Sequence, residues 1–175
     1  MVAAGDVTEA PINLEIALQL QRYLELGGAT VLMTRVGDEA LADNKRSDLR
    51  ARQTLADSAQ ADIMVSIHQN SYPQATIHGA QTFYHGASEA GQRLAESIQA
   101  ELGTYLAPGN RRVAKVEESY FLLKETALPA VIVECGFLSN DEERRLLSRA
   151  EYQERVAWAV YMGIVQYFAE EGQAR

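Results

Sequence analysis

Two apolar runs constrain this chain most: Ile63-Met64-Val65-Ser66-Ile67 and Ala130-Val131-Ile132-Val133. Short apolar runs rich in branched residues read as strands buried on both faces, the habit of a parallel sheet. Around them lie segments of helical period. Ile12, Ile16, Leu20 and Leu24 recur every four positions from Pro11 to Leu26. Pro11 sits in the first turn, where its missing N–H costs nothing, and Gly27-Gly28 closes the helix. Leu94, Ile98, Leu102 and Leu106 repeat the pattern over 88–106, and Pro108-Gly109-Asn110 breaks it. Val156, Val160, Ile164, Val165 and Phe168 give the last helix, 150–171, an inward stripe. A helix over 47–60 capped by Ser47, a short one over 141–147, a β-rich run at Ala29–Met33 and a strand at Ala80–Tyr84 complete the pass. Strands alternating with helices predict an α/β fold: one domain, a mostly parallel twisted sheet, helices on both faces. The length of 175 residues suits one domain.

Both apolar runs end in a side chain that can do chemistry, His68 and Glu134, and ligands of such sheets gather beyond the strands' carboxyl ends. A strand-end histidine is either a satisfied structural residue or one that presents a ring nitrogen to a metal or substrate. A carboxylate closing a buried strand is either ion-paired or a general acid–base whose pKa the apolar surroundings raise. Glu9 reads as an acidic helix start. His78 and His85 fall in turn segments and read as surface residues.

Other chemistries lack their parts. The single cysteine, Cys135, cannot form an internal disulfide or a cysteine-rich zinc site, and no histidine adjoins it in sequence. Ser66 and Ser139 lack a Gly-x-Ser-x-Gly setting. No phosphate-cradling loop supports a nucleotide-binding domain. Lys45-Arg46-Arg50-Arg52, interleaved with Asp43 and Asp48, reads as a solvated helix face. A net charge of −8 argues against a nucleic-acid partner. No apolar run approaches the ~18 residues of a membrane span, and the first residues show no basic-then-apolar export signal. The residues alone support a hydrolytic or binding α/β domain with a His–Glu site.

Taken together, certain blocks resemble the zinc-dependent N-acetylmuramoyl-L-alanine amidases of the Amidase_3 type. They are Glu9-x-x-x-Asn13-Leu14, Val31-Leu32-Met33-Thr34-Arg35, Val65-Ser66-Ile67-His68-Gln69-Asn70, Gly79-Ala80-Gln81-Thr82-Phe83-Tyr84 and Pro129-Ala130-Val131-Ile132-Val133-Glu134-Cys135-Gly136-Phe137-Leu138-Ser139-Asn140. Order and spacing match from Glu9 to the C-terminal helix, and the Gly-Ala-Gln-Thr-Phe-Tyr segment looks closest to spore-cortex, germination-type members. The resemblance implies hydrolysis of the amide between N-acetylmuramic acid and L-alanine in peptidoglycan, outside the membrane. It implies Glu9 and His68 as zinc ligands, Glu134 as the catalytic carboxylate and Asn70 as a substrate contact.

Three departures accompany it. Gln69 stands where the family has a small residue, and Ala10-Pro11 replaces a basic residue after the ligand Glu. An Asp-x-Gly-His-Gly-Gly motif, which carries the family's first zinc ligand on a first strand, has no counterpart before Glu9. The chain is therefore expected to be an N-terminally truncated catalytic domain over 1–175, lacking that strand and binding zinc weakly through two ligands, with turnover by this chain in question. His78 is the one conceivable substitute ligand. The competing expectation is a metal-free peptidoglycan-binding relative that has lost catalysis. The sequence names no protein partner.

Overall fold

Alternation along the strands decides the architecture. On β6 (Ala130–Phe137), Val131, Val133 and Cys135 face one way, into the main core, while Ala130 and Ile132 face a second, smaller apolar cluster. That two-residue period is the pleat of a strand covered on both sides. The computed structural model describes residues 3–4, 7–106 and 110–173. In chain order the other elements are β1 (Ala3–Ala4), β2 (Val7–Thr8), α1 (Glu9–Leu26), α2 (Lys45–Ser58), β3 (Met64–Asn70), β4 (Gln81–Tyr84), α3 (Glu89–Tyr105), β5 (Lys115–Val116), α4 (Phe121–Glu125), α5 (Asp141–Leu147) and α6 (Ala150–Gln173).

The main sheet has the order β3-β6-β4-β5, and β1 and β2 form a separate two-residue antiparallel pair. β3 runs parallel to β6 and β4 parallel to β5, while β4 meets β6 antiparallel. The result is the expected α/β domain with a mostly parallel sheet between helices. Helices α1, α3 and α6 cover one face, with Ile16, Leu94, Ile98, Leu102, Val156 and Val160 fully buried there. The other face carries the smaller cluster of Phe83, Leu123 and Ile132, under α4, which in turn meets α2. Gly163 lets α3 and α6 close up: a Cβ there would lie 2.4 Å from the Ile98 Cα.

Several local expectations need correction. The run Ala29–Met33 forms no strand, because β-propensity becomes a ladder only beside a partner, and these residues pair with no strand. The second helix starts at Lys45, and its cap is Asn44, whose side chain accepts the Ser47 N–H at 3.0 Å. Ser47 is thus the donor, not the cap. On α6, Val165 and Phe168 are 42% and 44% exposed. Each follows an inward residue, Ile164 and Tyr167, by one position, which turns it ~100° off the stripe. Pro108 and Gly109, expected to break α3, lie outside the described residues, as do residues 1–2 and 5–6. Among the described residues no helix is long and apolar enough to cross a membrane.

Candidate active site

Register assembles the site. His68 on β3 is the direct neighbour of Glu134 on β6, and Glu134 is the direct neighbour of Gln81 on β4. Residues directly paired across strands share a face. His68, Glu134 and Gln81 therefore form a row across three strands, on the face with the small apolar cluster. Neither His68 nor Glu134 ends its strand: β3 continues to Asn70 and β6 to Phe137, with a register shift between His68 and Asn70.

Glu9 enters the row from the first residue of α1. It is buried, and its Oε1 lies 2.8 Å from His68 Nδ1. The same oxygen accepts the Asn13 side-chain amide at 3.1 Å and the Gln69 backbone N–H at 3.3 Å. Gln69, 1% exposed, donates its side-chain amide to Asn13 Oδ1 at 3.2 Å. A carboxylate only accepts, so Asn13 must turn its NH2 to Glu9 and its oxygen to Gln69. The polarity of the chain is forced from one end. Gln69, a departure from the resemblance, thus braces the carboxylate that its neighbour His68 meets. On its other side His68 Nε2 lies 3.0 Å from Ser66 Oγ. The imidazole stays open, with 41% of its side chain exposed against 11% for Glu9.

Glu134 is buried, and its Oε2 has no hydrogen-bond partner among the described residues. Desolvation raises its pKa to about 7; the Glu9 charge adds to this and His68 opposes it. Burial likewise raises the Tyr120 hydroxyl, with the Glu134 charge contributing, which places Tyr120 within the carboxylate's field. Cys135 points into the opposite core, where burial drives its thiol well above the ordinary range. It stays protonated and takes no part.

Not every candidate joins. Asn70 is half-buried, and its Oδ1 accepts the Ser71 N–H at 2.8 Å while its carbonyl accepts the Leu138 N–H. It marks the rim rather than the row. His78 offers only its carbonyl, to Arg112, and His85 pairs with Glu118 at 2.8 Å. Among the described residues no three His, Cys, Asp or Glu side chains gather as a metal site, and His78 does not form one with Glu9 and His68. The Phe-Leu-Ser-Asn block ties down the neighbouring loop: Ser139 Oγ accepts the Tyr72 N–H, and Asn140 donates to the Ala75 carbonyl while capping α5. Glu143 clamps the same end, accepting the Gly79 and Phe137 N–H groups at 2.9 and 2.8 Å.

The profile of the N-acetylmuramoyl-L-alanine amidase family, Amidase_3, matches residues 2–166. This chain belongs to that family. The amidase is 36% identical over 176 residues to the germination-specific N-acetylmuramoyl-L-alanine amidase of Bacillus subtilis (strain 168), a match covering 96% of this chain and 74% of that protein. It is similar to the CwlD amidase from Clostridioides difficile, solved in complex with the GerS lipoprotein, with a TM-score of 0.90 at 36% identity over 94% of this chain and 88% of that one. The catalytic domain of CwlV from Bacillus (Paenibacillus) polymyxa var. colistinus matches with a TM-score of 0.79 at 29% identity, covering 94% and 87%. The expected likeness to germination-type members holds. What sequence reading missed in this amidase are Gln81, beside Glu134, Arg112, which bonds to Gln81, and the bracing role of Gln69. Only Gln69 carried a signal, a long polar residue where a small one was expected.

Proposed function

We propose that this amidase cuts the bond between the lactyl carbonyl of N-acetylmuramic acid and the L-alanine amine, in cell-wall or spore-cortex peptidoglycan outside the membrane, with zinc bound at Glu9 and His68. The supporting observation is the row itself, with a buried carboxyl of pKa about 7 beside a converging carboxylate–imidazole pair. That pair is of the donor class zinc takes. It supplies two of the three protein ligands a catalytic zinc usually has, and no third joins it among the described residues. Bound there, zinc would polarise the scissile carbonyl and acidify water.

The chain's own residues do the rest. A carboxylate only accepts, so without a metal His68 Nδ1 donates its hydrogen to Glu9 Oε1 and Nε2 accepts the Ser66 hydroxyl. For Nδ1 to serve as a ligand the ring hydrogen would move to Nε2, where Ser66 Oγ can accept it. Asn13 and Gln69 hold the Glu9 carboxylate in place. Glu134 takes a proton from the attacking water and returns it to the leaving amine as the C–N bond breaks. A group near pH 7 serves both directions, because neither its acid nor its base form is scarce.

Digesting purified peptidoglycan with the chain in the presence of Zn2+ should create new amino-terminal L-alanine with no new reducing sugar ends. New reducing ends, or cleavage within the stem peptide, would contradict the reading. Tight binding of sacculi with no new amino termini would favour the metal-free binding relative. Zinc titration of Glu9→Gln should show weaker binding than the wild-type chain; unchanged affinity would remove Glu9 from the ligand set.

A further inference from the structure

The polar row continues beyond Glu134. Gln81 donates its side-chain amide to the Val113 carbonyl at 2.9 Å, and its oxygen accepts Arg112 Nη1 at 2.8 Å. Arg112 is held from several sides. Its Nε donates to the His78 carbonyl at 2.7 Å, its backbone N–H to Asn110 Oδ1 at 3.1 Å, and its guanidinium lies 4.8 Å from the Phe137 ring centroid. Gly79 makes room for it: φ there is +98°, and a Cβ would come within 3.1 Å of Arg112 Nε.

Every one of those partners is neutral. Among the described residues Arg112 makes no ion pair, in a chain where 24 acidic residues outnumber 16 basic ones. A half-buried guanidinium, fixed in direction and lacking a counter-carboxylate, is preorganised for one. Orientation has been arranged by neutral groups, so the positive charge remains to be matched.

We propose that Arg112 is the seat of a carboxylate in the peptide part of the substrate. The inference rests on the amidase reading and specifies the substrate it prefers. Strands lie ~4.8 Å apart, so Gln81 stands one spacing from Glu134 and Arg112 one side chain further. An extended residue spans ~3.5 Å, which puts the carboxylate on a stem residue roughly one to three positions from the amide being cut. The row thus orders the substrate from the scissile bond at Glu134 to its peptide charge at Arg112.

The test is calorimetric binding, with chelator present so that no ligand is consumed. Two ligands are compared: a muramoyl peptide with free carboxylates and the same peptide with every carboxylate amidated. The wild-type chain is expected to bind the first at least tenfold more tightly. Arg112→Gln should erase that preference, and Arg112→Lys should keep part of it. Equal binding of the two peptides by the wild-type chain overturns the seat but leaves the amidase reading standing, whereas binding of neither counts against both. A preference that survives in Arg112→Gln, with an unchanged thermal melt, overturns it as well. Should Arg112→Gln not fold, the wild-type comparison decides alone.

Discussion

The two faces of β6 meet opposite demands with alternate residues. On one, Val131, Val133 and Cys135 are fully buried under α3 and its neighbours. On the other, Ala130 and Ile132 pack into a small pad that gives way, one pleat further, to Glu134. The large face has only to exclude water. The small face excludes just enough water to change a carboxyl group's chemistry: desolvation by burial lifts Glu134 to about 7, and its Oε2 meets no donor among the described residues. A thick core gives stability, while a thin one beside the solvent gives a tuned proton carrier.

Substitutions on the large face should therefore cost stability, and those in the row should cost function. Leu94→Ala, fully buried under the sheet, should lower unfolding free energy by about 2–5 kcal/mol, as read in urea melts. A loss below about 1 kcal/mol would mean that the large face is looser than described.

Glu134→Gln should do the reverse. Between the unfolded carboxyl's ordinary 4.5 and about 7, the folded chain keeps a proton that the unfolded chain has released. Stability therefore falls as pH rises through that window, by roughly 3 kcal/mol in all. The neutral amide has no proton to lose, so Glu134→Gln should flatten that slope and be the more stable protein at pH 8. Melts at pH 5 and 8 would show it; parallel pH dependences in the two proteins would sink the raised pKa.

Smaller effects should appear where only one link of the row's support is removed. Gln69→Met keeps the volume but leaves Asn13 Oδ1 without its donor, and it should weaken zinc binding about 10–100-fold while the fold survives. Zinc titration reads it, and an unchanged affinity would reduce Gln69 to packing. Smallest of all is Arg93→Ala on the outer surface, where the pair with Glu171 is solvent-accessible. It should shift stability by no more than about 1 kcal/mol.

What was legible in the sequence follows the same division. The buried strands, the helices at Leu94–Leu106 and Ile12–Leu20, and the convergence of His68 with Glu134 were readable because periodicity is local and strand register then carries it across the sheet. Glu9 stood out as a candidate ligand only through the family's motif, since an acidic helix start is ordinary. Arg112 was not readable at all. It reaches Gln81 from 31 positions away, across a segment that looks irregular, and nothing near it in sequence marks it. The run Ala29–Met33 failed for the complementary reason: a strand is a property of a pair, and the sequence shows only one member. Ser47 was expected as the cap and Asn44 does the capping, because either residue type can cap and only the position of the first turn tells which one does.

The central claim is that Glu134, made near-neutral in affinity for its proton by the thin face, carries that proton in amide cleavage. Its most direct test compares the wild-type chain with Glu134→Gln on purified peptidoglycan with added Zn2+, counting amino-terminal L-alanine released and checking zinc affinity in parallel. The account predicts a loss of at least ~100-fold in release, as expected for removing a general acid–base, with zinc binding within a few-fold of wild type. Release at the wild-type rate from the variant would contradict it.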